Sequence, residues 1–349
     1  MNTARWKTKN RGKVTAGIDN IMNQHEILVR ANMDCSPGGM ALLTPGSGLA
    51  WGRCRFDFNP DEGGRADFAV VMGNARPRDH FVCAPQNTLF IAGEPLAKKL
   101  YPQSFYQQFG HVVDSHAESR HSNLQVSALG LNWHVGLDHN SNSYRYGFDY
   151  LTALACPDKQ NRIAVVCSNA SKTEGQRQRL ALLEGLKQRL GDRLVHFGRG
   201  FEPIDDKMDA ILPYRFHLVL ENCVEQNYWT EKLADAYLGW AYPVYLGCPN
   251  VDDYLPAEAL LSINNLDADT AAARIAALLD QPLGPQREAA LAEARWRILN
   301  VYNPFAWAAH WAERLYQPGL QEKSLTLRSH KAFRSFPRGH WFRLRNMQA

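Results

Sequence analysis

Several absences narrow the possibilities before any motif is considered. In 349 residues no apolar run approaches the roughly 20 that cross a bilayer, so any membrane contact is expected to be peripheral. The basic stretch from Met1 to Val14 is followed by no apolar segment and does not read as a signal peptide. The seven cysteines (Cys35, Cys54, Cys83, Cys156, Cys167, Cys223 and Cys248) are odd in number, scattered and never spaced C-x-x-C. That argues against a disulfide framework or a zinc site and for a reducing, cytoplasmic setting. No H-E-x-x-H spacing organises the twelve histidines, and His111, His116, His121 and His134 read as ordinary surface and core residues. No G-x-G-x-x-G follows an early strand, which disfavours a two-domain dehydrogenase. A net charge of +4 is too small to mark a nucleic-acid binder, and no nucleic-acid partner is expected. Acids are missing from residues 323–349, which carry seven Lys or Arg, so the rest of the chain sums to 4 − 7 = −3.

What is present is an alternation of strands and helices, in two series. Residues 1–60 are hard to read beyond the loop punctuation of Pro37-Gly38-Gly39 and Pro45-Gly46-Ser47-Gly48. Phe68–Met72, Leu89–Ala92 and His111–Asp114 are short apolar runs of the kind found in buried parallel strands. Residues from about 136 to 160 read as a connector. A second series follows, with strands at 163–168, 194–197, 216–220, 243–246 and 260–263. Helices are expected at 176–190, with Leu180, Leu183, Leu186 and Leu190 on one face, and at 228–240, 267–281, 286–299 and 304–316. This pattern predicts an α/β, GT-B-like fold: two Rossmann-like domains facing each other across a cleft. The expected boundaries are 1–150, 151–318 and a basic, aromatic tail at 319–349. Ligands of open parallel sheets sit beyond the carboxyl ends of the strands, so the site belongs in the cleft.

The segment Phe216–Pro249 carries the chemistry. Its apolar strand ends in Glu221-Asn222, a polar loop follows, and Asn227 reads as the N-cap of a helix starting at Tyr228. Leu233, Ala236, Tyr237 and Trp240 form the expected buried stripe. Tyr228, Glu231 and Lys232 then share one face of the first turn, where unpaired N–H groups and the helix dipole favour a phosphate. Lys232 can complete a diphosphate seat, and Glu231 can accept hydrogen bonds from ribose hydroxyls. Together these groups fit a nucleoside diphosphate. An isolated Glu-Lys pair would more often be a solvated helix face.

The ordered matches Leu220-Glu221-Asn222, Tyr228-Trp229-Thr230-Glu231-Lys232, Pro243–Gly247 and Pro256–Ile263 resemble the signature of the family-ten glycosyltransferases, the α-1,3/1,4-fucosyltransferases, bacterial members included. Leu220 replaces the usual Phe, and Trp229 a β-branched residue. Ser168-Asn169 followed by Arg179 resembles the family's segment in which an arginine binds the donor diphosphate; Arg177 is the alternative register. His196–Gly200 and Leu89–Pro95 are weaker matches, and the second of these places the family's proposed base at Glu94. The similarity covers about 160–265, extends less clearly over 67–135, and is absent from 1–60 and the tail.

The resemblance implies GDP-fucose as donor, a glycan acceptor of surface-glycan or lipopolysaccharide type, and inversion at the anomeric carbon. Glu94 would take the acceptor proton. Arg179, Glu221, Asn222, Tyr228, Thr230, Glu231 and Lys232 would hold the donor. No D-x-D dyad stands in a strand–loop context; Asp205-Asp206 and Asp252-Asp253 read as turn residues, and no metal or other cofactor is expected. In residues 325–345 basic side chains alternate with Phe333, Phe336, Trp341 and Phe342, a mixture suited to an anionic membrane surface or to a packed tail. The rival readings are a transferase using another nucleotide sugar and a non-catalytic nucleotide- or glycan-binding protein.

Overall fold

The computed structural model describes residues 25–33, 37–58, 61–73 and 76–345; the basic Met1–Val14 stretch and Cys35 lie outside them. The first half of the chain supplies β1 (Ile27–Met33), β2 (Ala50–Trp51), β3 (Cys54–Asp57), β4 (Phe68–Met72), β5 (Arg78–Cys83), β6 (Thr88–Ile91), β7 (His111–Asp114) and β8 (Leu124–Val126). Seven of these form one sheet in the order β2-β3-β1-β4-β6-β7-β8. All its pairings are parallel except that of β2 with β3. A small antiparallel hairpin, β9 (Leu137–Asp138) with β10 (Ser143–Tyr144), and the helix Phe148–Ala153 occupy the segment expected to be a connector. The second series is β11 (Gln160–Val166), β12 (Leu194–Phe197), β13 (Tyr214–Leu220), β14 (Tyr242–Leu246) and β15 (Leu261–Ser262). These strands form a wholly parallel sheet in the order β12-β11-β13-β14-β15. The fold is therefore α/β with two Rossmann-like sheets.

The opaque first 60 residues contain β1, which lies at the heart of the first sheet between β3 and β4. Its reading as a strand is spoiled by Arg30 and Asn32, both buried. The Arg30 guanidinium is neutralised by Asp79, with Nε and Nη2 donating to Oδ1 at 2.9 and 2.5 Å. Asn32 Oδ1 accepts from the Arg76 backbone N–H at 3.1 Å. A buried ion pair thus stands where the hydrophobic pattern has a gap, because an unpaired charge there would cost several kcal/mol.

The end of the chain returns to the first half. The helix Pro304–Leu315 packs on β2, β3 and β4. Phe305 meets Phe56 and Phe58 edge-on, and Glu313 Oε1 accepts from Arg53 N at 2.6 Å. Strand β16 (Lys323–Arg328) then pairs antiparallel with β5 over six residues, and Leu327 is buried beneath it.

Among the helices, Glu174–Leu190 begins on a capping box in which the Thr173 hydroxyl accepts from Gln176 N and Gln176 Oε1 accepts from Thr173 N. It buries Leu183, Leu186 and Leu190, with Leu180 half-buried, and also Arg179. The helix after β13 departs from the expected 228–240: it spans Glu231–Leu238 and is capped by Thr230. Asn227 cannot be its N-cap. Its φ of 60° is left-handed, whereas an N-cap is extended. The Asn227 side chain is already engaged, with Oδ1 accepting from Asn250 Nδ2 and the Tyr254 hydroxyl. Leu233, Ala234, Asp235, Ala236, Tyr237 and Leu238 are all buried, so the helix is enclosed rather than striped, and Trp240 lies beyond its end.

Asp206 was expected in a turn. It is the N-cap of the helix Lys207–Ile211, and it also accepts from Gly136 N at 3.0 Å and the Tyr146 hydroxyl at 2.7 Å.

His217 sits inside β13 with no hydrogen bond to Nδ1, and burial, with Lys207 and Lys159 nearby, holds its imidazole down to about 3. Below an ordinary histidine pKa of 6.5 the unfolded chain binds a proton that the native chain refuses. Stability should therefore fall as pH drops from about 6.5 towards 3, by ~1.4 kcal/mol per pH unit from this residue. Urea unfolding at pH 7 and pH 4.5 should show a smaller pH difference in His217→Val than in the wild type; equal differences would refute this account.

Candidate active site

The carboxyl ends of both sheets open on one cleft of about 900 Å³. Met72, Gly73, Gly93 and Glu94 come from β4, β6 and the turns after them. Glu221, Asn222, Thr230, Glu231 and Lys232 come from the end of β13 and the helix that follows, and Thr173 to Gln176 from the start of the long helix after β11. Of the eight residues singled out in the sequence, Glu94, Glu221, Asn222, Tyr228, Thr230, Glu231 and Lys232 line this cleft. Arg179 stands one layer behind, and its Nη1 donates to Asn222 Oδ1 at 2.7 Å. Its Nε is buried without a partner. Arg177, the alternative, is exposed and paired with Glu174 at 2.6 Å.

The centre of the second-domain wall is a compact charge cluster. Glu221, one residue beyond the end of β13, is buried and accepts from Thr230 N at 2.9 Å. The Thr230 hydroxyl donates to the same carboxylate, standing 2.9 and 2.8 Å from its two oxygens. Lys232 Nζ reaches Glu221 Oε2 at 3.4 Å and Glu231 Oε1 at 2.9 Å. One ammonium is thus shared by two carboxylates, and the three charges sum to −1 when all are ionised.

Burial pushes the Glu221 carboxyl up. Burial would raise Glu231 as well, but the Lys232, Lys207 and His134 charges beside it outweigh that and hold it well below the usual carboxylate range. Burial would lower the Lys232 ammonium, yet its two carboxylate neighbours raise it. The arrangement presents a fixed cation and a reliably ionised carboxylate to the cleft, at the start of a helix whose dipole is positive there.

Across the cleft, Glu94 follows Gly93 at the end of β6, with its side chain 29% exposed and paired with Lys98 Nζ at 2.6 Å. A carboxylate so placed can accept a proton from a hydroxyl brought into the cleft. Tyr228 spans the gap: it leaves the second domain's loop and buries its ring in the first domain's core with Phe90 and Tyr101.

His134 was passed over in the sequence as ordinary, but it lines the cleft. Its backbone N–H donates to Asp235 Oδ1 at 2.7 Å, as does Val135 N at 3.1 Å, while Lys207 Nζ holds the other oxygen at 2.7 Å. Burial and the Lys207 charge lower its imidazole, opposed by Glu231 and Asp235. The available signal was Asp235, an acid one turn beyond Glu231 on a helix that is otherwise apolar at this point. Among the described residues no group of three His, Cys, Asp or Glu side chains is placed to hold a metal ion.

Comparison with known proteins bears on this site. Residues 156–313 match Glycosyltransferase family 10 (fucosyltransferase) C-term. The chain is 28% identical over 138 residues to the 3-galactosyl-N-acetylglucosaminide 4-alpha-L-fucosyltransferase FUT3 of Homo sapiens, covering 38% of this chain and 37% of that one. To the 4-galactosyl-N-acetylglucosaminide 3-alpha-L-fucosyltransferase FUT6 of Homo sapiens it is 30% identical over 133 residues, 37% of this chain and 35% of that one. The chain thus spans a little over a third of the length of these curated relatives. A crystal structure of an alpha1,3-fucosyltransferase with GDP superimposes with a TM-score of 0.48 at 14% identity, over 85% of this chain and 92% of the other. Residues 156–313, which hold the second sheet and the helices around it, thus match the C-terminal part of glycosyltransferase family 10, the fucosyltransferases.

Proposed function

We propose that the protein transfers L-fucose from GDP-fucose to a hydroxyl of a glycan, with inversion at the anomeric carbon. The observation that carries this reading is the pairing of Glu94, on one lip of the cleft, with the Glu221–Thr230–Glu231–Lys232 cluster on the other. In the proposed step the acceptor oxygen forms a bond to the sugar's C1 as the C1–O bond to the diphosphate breaks. Glu94 takes the acceptor proton, and GDP leaves carrying the electron pair. Lys232 meets the developing charge from the helix start. Arg179 stands behind Asn222 with an unsatisfied Nε, in reach of a small shift. Glu231, held ionised, receives the ribose hydroxyls. Tyr228 walls the cleft between the two halves. The charges are supplied by side chains, so the reading calls for no cofactor. The acceptor is a galactosyl-N-acetylglucosaminide or a related surface-glycan or lipopolysaccharide unit, by analogy with the substrates named for the relatives.

The same reading places the enzyme in the cytoplasm at the inner face of a membrane. The helix Arg338–Arg345 and the turn before it expose Phe336 and Trp341, 82% and 67%, beside Arg334, Arg338 and Arg343. Leu344 adds further apolar surface. No helix among the described residues is long and apolar enough to cross a membrane.

Four outcomes are expected. With GDP-fucose and GDP-mannose offered alongside 3- and 4-galactosyl-N-acetylglucosaminides, transfer should occur from GDP-fucose and persist in EDTA; transfer from GDP-mannose alone would end the fucose assignment. Glu94→Gln should lower kcat by roughly 10²–10⁴-fold while leaving GDP affinity within about twofold, because only the proton transfer is lost. A wild-type rate in that variant removes Glu94 as the base. Lys232→Ala should weaken GDP binding by calorimetry at least tenfold, and an unchanged affinity would place the diphosphate elsewhere. The tail assignment predicts sedimentation with vesicles containing phosphatidylserine, lost on Trp341→Ser with Phe336→Ser or in 0.5 M salt at roughly three times physiological ionic strength.

A further inference from the structure

The loop from Glu221 to Thr230 starts on the second sheet, but its middle is fastened to the first domain. Glu225 reaches across the gap, and its two carboxylate oxygens accept from the backbone N–H groups of Leu96 and Ala97, each at 3.0 Å. Asn227 Nδ2 donates to the Ser115 carbonyl at 3.0 Å. Tyr228 is buried among first-domain aromatics. Of these three fastenings, Glu225 is the one that grips the segment carrying Glu94.

That segment is also held from within the first domain. Gly93 lies flat on Gly73, where a Cβ would stand 3.1 Å from the Gly73 Cα. Pro95 fixes its own φ and offers no N–H. Lys98 N and Lys99 N both close onto the Pro95 carbonyl at 3.0 Å, making a tight turn whose leading N–H groups, those of Leu96 and Ala97, point out of it. Glu225 caps those two donors as an N-cap carboxylate would, with charge-assisted bonds about twice as strong as neutral ones. The Glu94 carboxylate is itself paired with Lys98, which belongs to the same turn. Orientation of the turn therefore sets the position of Glu94 and of its partner together.

We propose that Glu225 is a positioning residue: an inter-domain latch that fixes the Gly93–Ala97 turn, and with it Glu94, at a set distance from Glu231 and Lys232. Its value for the reaction rests on Glu94 acting as the base. A carboxylate is required because it presents two acceptor oxygens to two consecutive N–H groups. Glutamine keeps the shape but turns an NH₂ towards one of them. Loosening the turn by about 1 Å is enough to cost on the order of 10²-fold in rate when a base must meet a hydroxyl. Donor binding is left alone, because Glu225 makes no hydrogen bond or ion pair to Glu231, Lys232 or Arg179.

The test compares wild type, Glu225→Gln, Glu94→Gln and the double variant. In Glu225→Gln, hydrogen exchange at the Leu96 and Ala97 amides should accelerate at least tenfold. Calorimetric affinity for GDP should stay within about twofold, and KM for GDP-fucose should be unchanged. Turnover of GDP-fucose with the galactosyl-N-acetylglucosaminide acceptors should fall by ten- to a hundredfold. The double variant should be no slower than Glu94→Gln alone, since a latch for Glu94 has nothing left to position. Unchanged exchange at the two amides overturns the latch, and so does an equal fractional loss of rate in both backgrounds, the mark of general damage. A weakened GDP affinity with unchanged kcat would also overturn it, by making Glu225 a donor contact. If Glu94→Gln turns over at the wild-type rate, the base assignment fails instead, and the exchange measurement alone decides the latch.

Discussion

The geometry of the cleft depends on how one buried carboxylate is satisfied. Strand β13 drives Glu221 into the interior, where an ionised carboxyl without partners would cost several kcal/mol. The partners it finds are the N–H and hydroxyl of Thr230 and the ammonium of Lys232. Meeting that demand fixes Thr230 as the helix cap, and so decides that the helix begins at Glu231. Glu231 and Lys232 are then its first two residues, adjacent in sequence yet both turned to the cleft and bonded to each other. The placement of the polar groups follows from a strand that ends in an acid. The rest of the helix is buried and, apart from Asp235, apolar, and it contributes rigidity through burial.

A second theme is that acids of the second half hold backbone N–H groups of the first half and of the connector. Asp235 takes His134 N and Val135 N, Asp206 takes Gly136 N, and Glu225 takes Leu96 N and Ala97 N. Backbone donors left over at loops and turns must be paired when buried, and a carboxylate can pair two at once. The result is a series of hydrogen-bonded attachments along the cleft, beside an apolar core cluster that runs through both halves. Two of these acids, Asp206 and Asp235, are also tied to their own domain, by Met208 N and by Lys207. Attachment and local folding are thus coupled.

The return of the chain matters as much. The helix Pro304–Leu315 and strand β16 are far from the first half in sequence, yet the helix packs on its sheet and β16 pairs with β5 in a separate two-stranded sheet. Asn303 Nδ2 donates to the Leu43 carbonyl at 2.7 Å just before that helix starts. The first half therefore completes its core with residues from the end of the chain, and the two Rossmann-like units are interlocked by the polypeptide itself.

Much of this was legible in the residues alone. Largely apolar runs marked β4, β6, β7 and the strands of the second sheet, because a strand buried on both faces has few polar positions to obscure it. The strand ending in Glu221 and the polar residues Glu231 and Lys232 after it marked one wall of the cleft, because they are close in sequence; the expected face shared with Tyr228 does not exist, since Tyr228 precedes the helix and packs into the first half. What was not legible depended on partners distant in sequence. Strand β1 was hidden because Arg30 looks like a surface residue until Asp79, 49 positions on, is beside it. The helix start was misplaced at Asn227 because local capping preference cannot sense that Asn250 and Tyr254 already occupy that side chain. His134 looked ordinary until Asp235, 101 positions away, seated it in the cleft. Sequence determines which groups are available and their local spacing; only the packed chain decides which acid neutralises which cation, because that pairing is set by burial and long-range contact rather than by neighbours along the backbone.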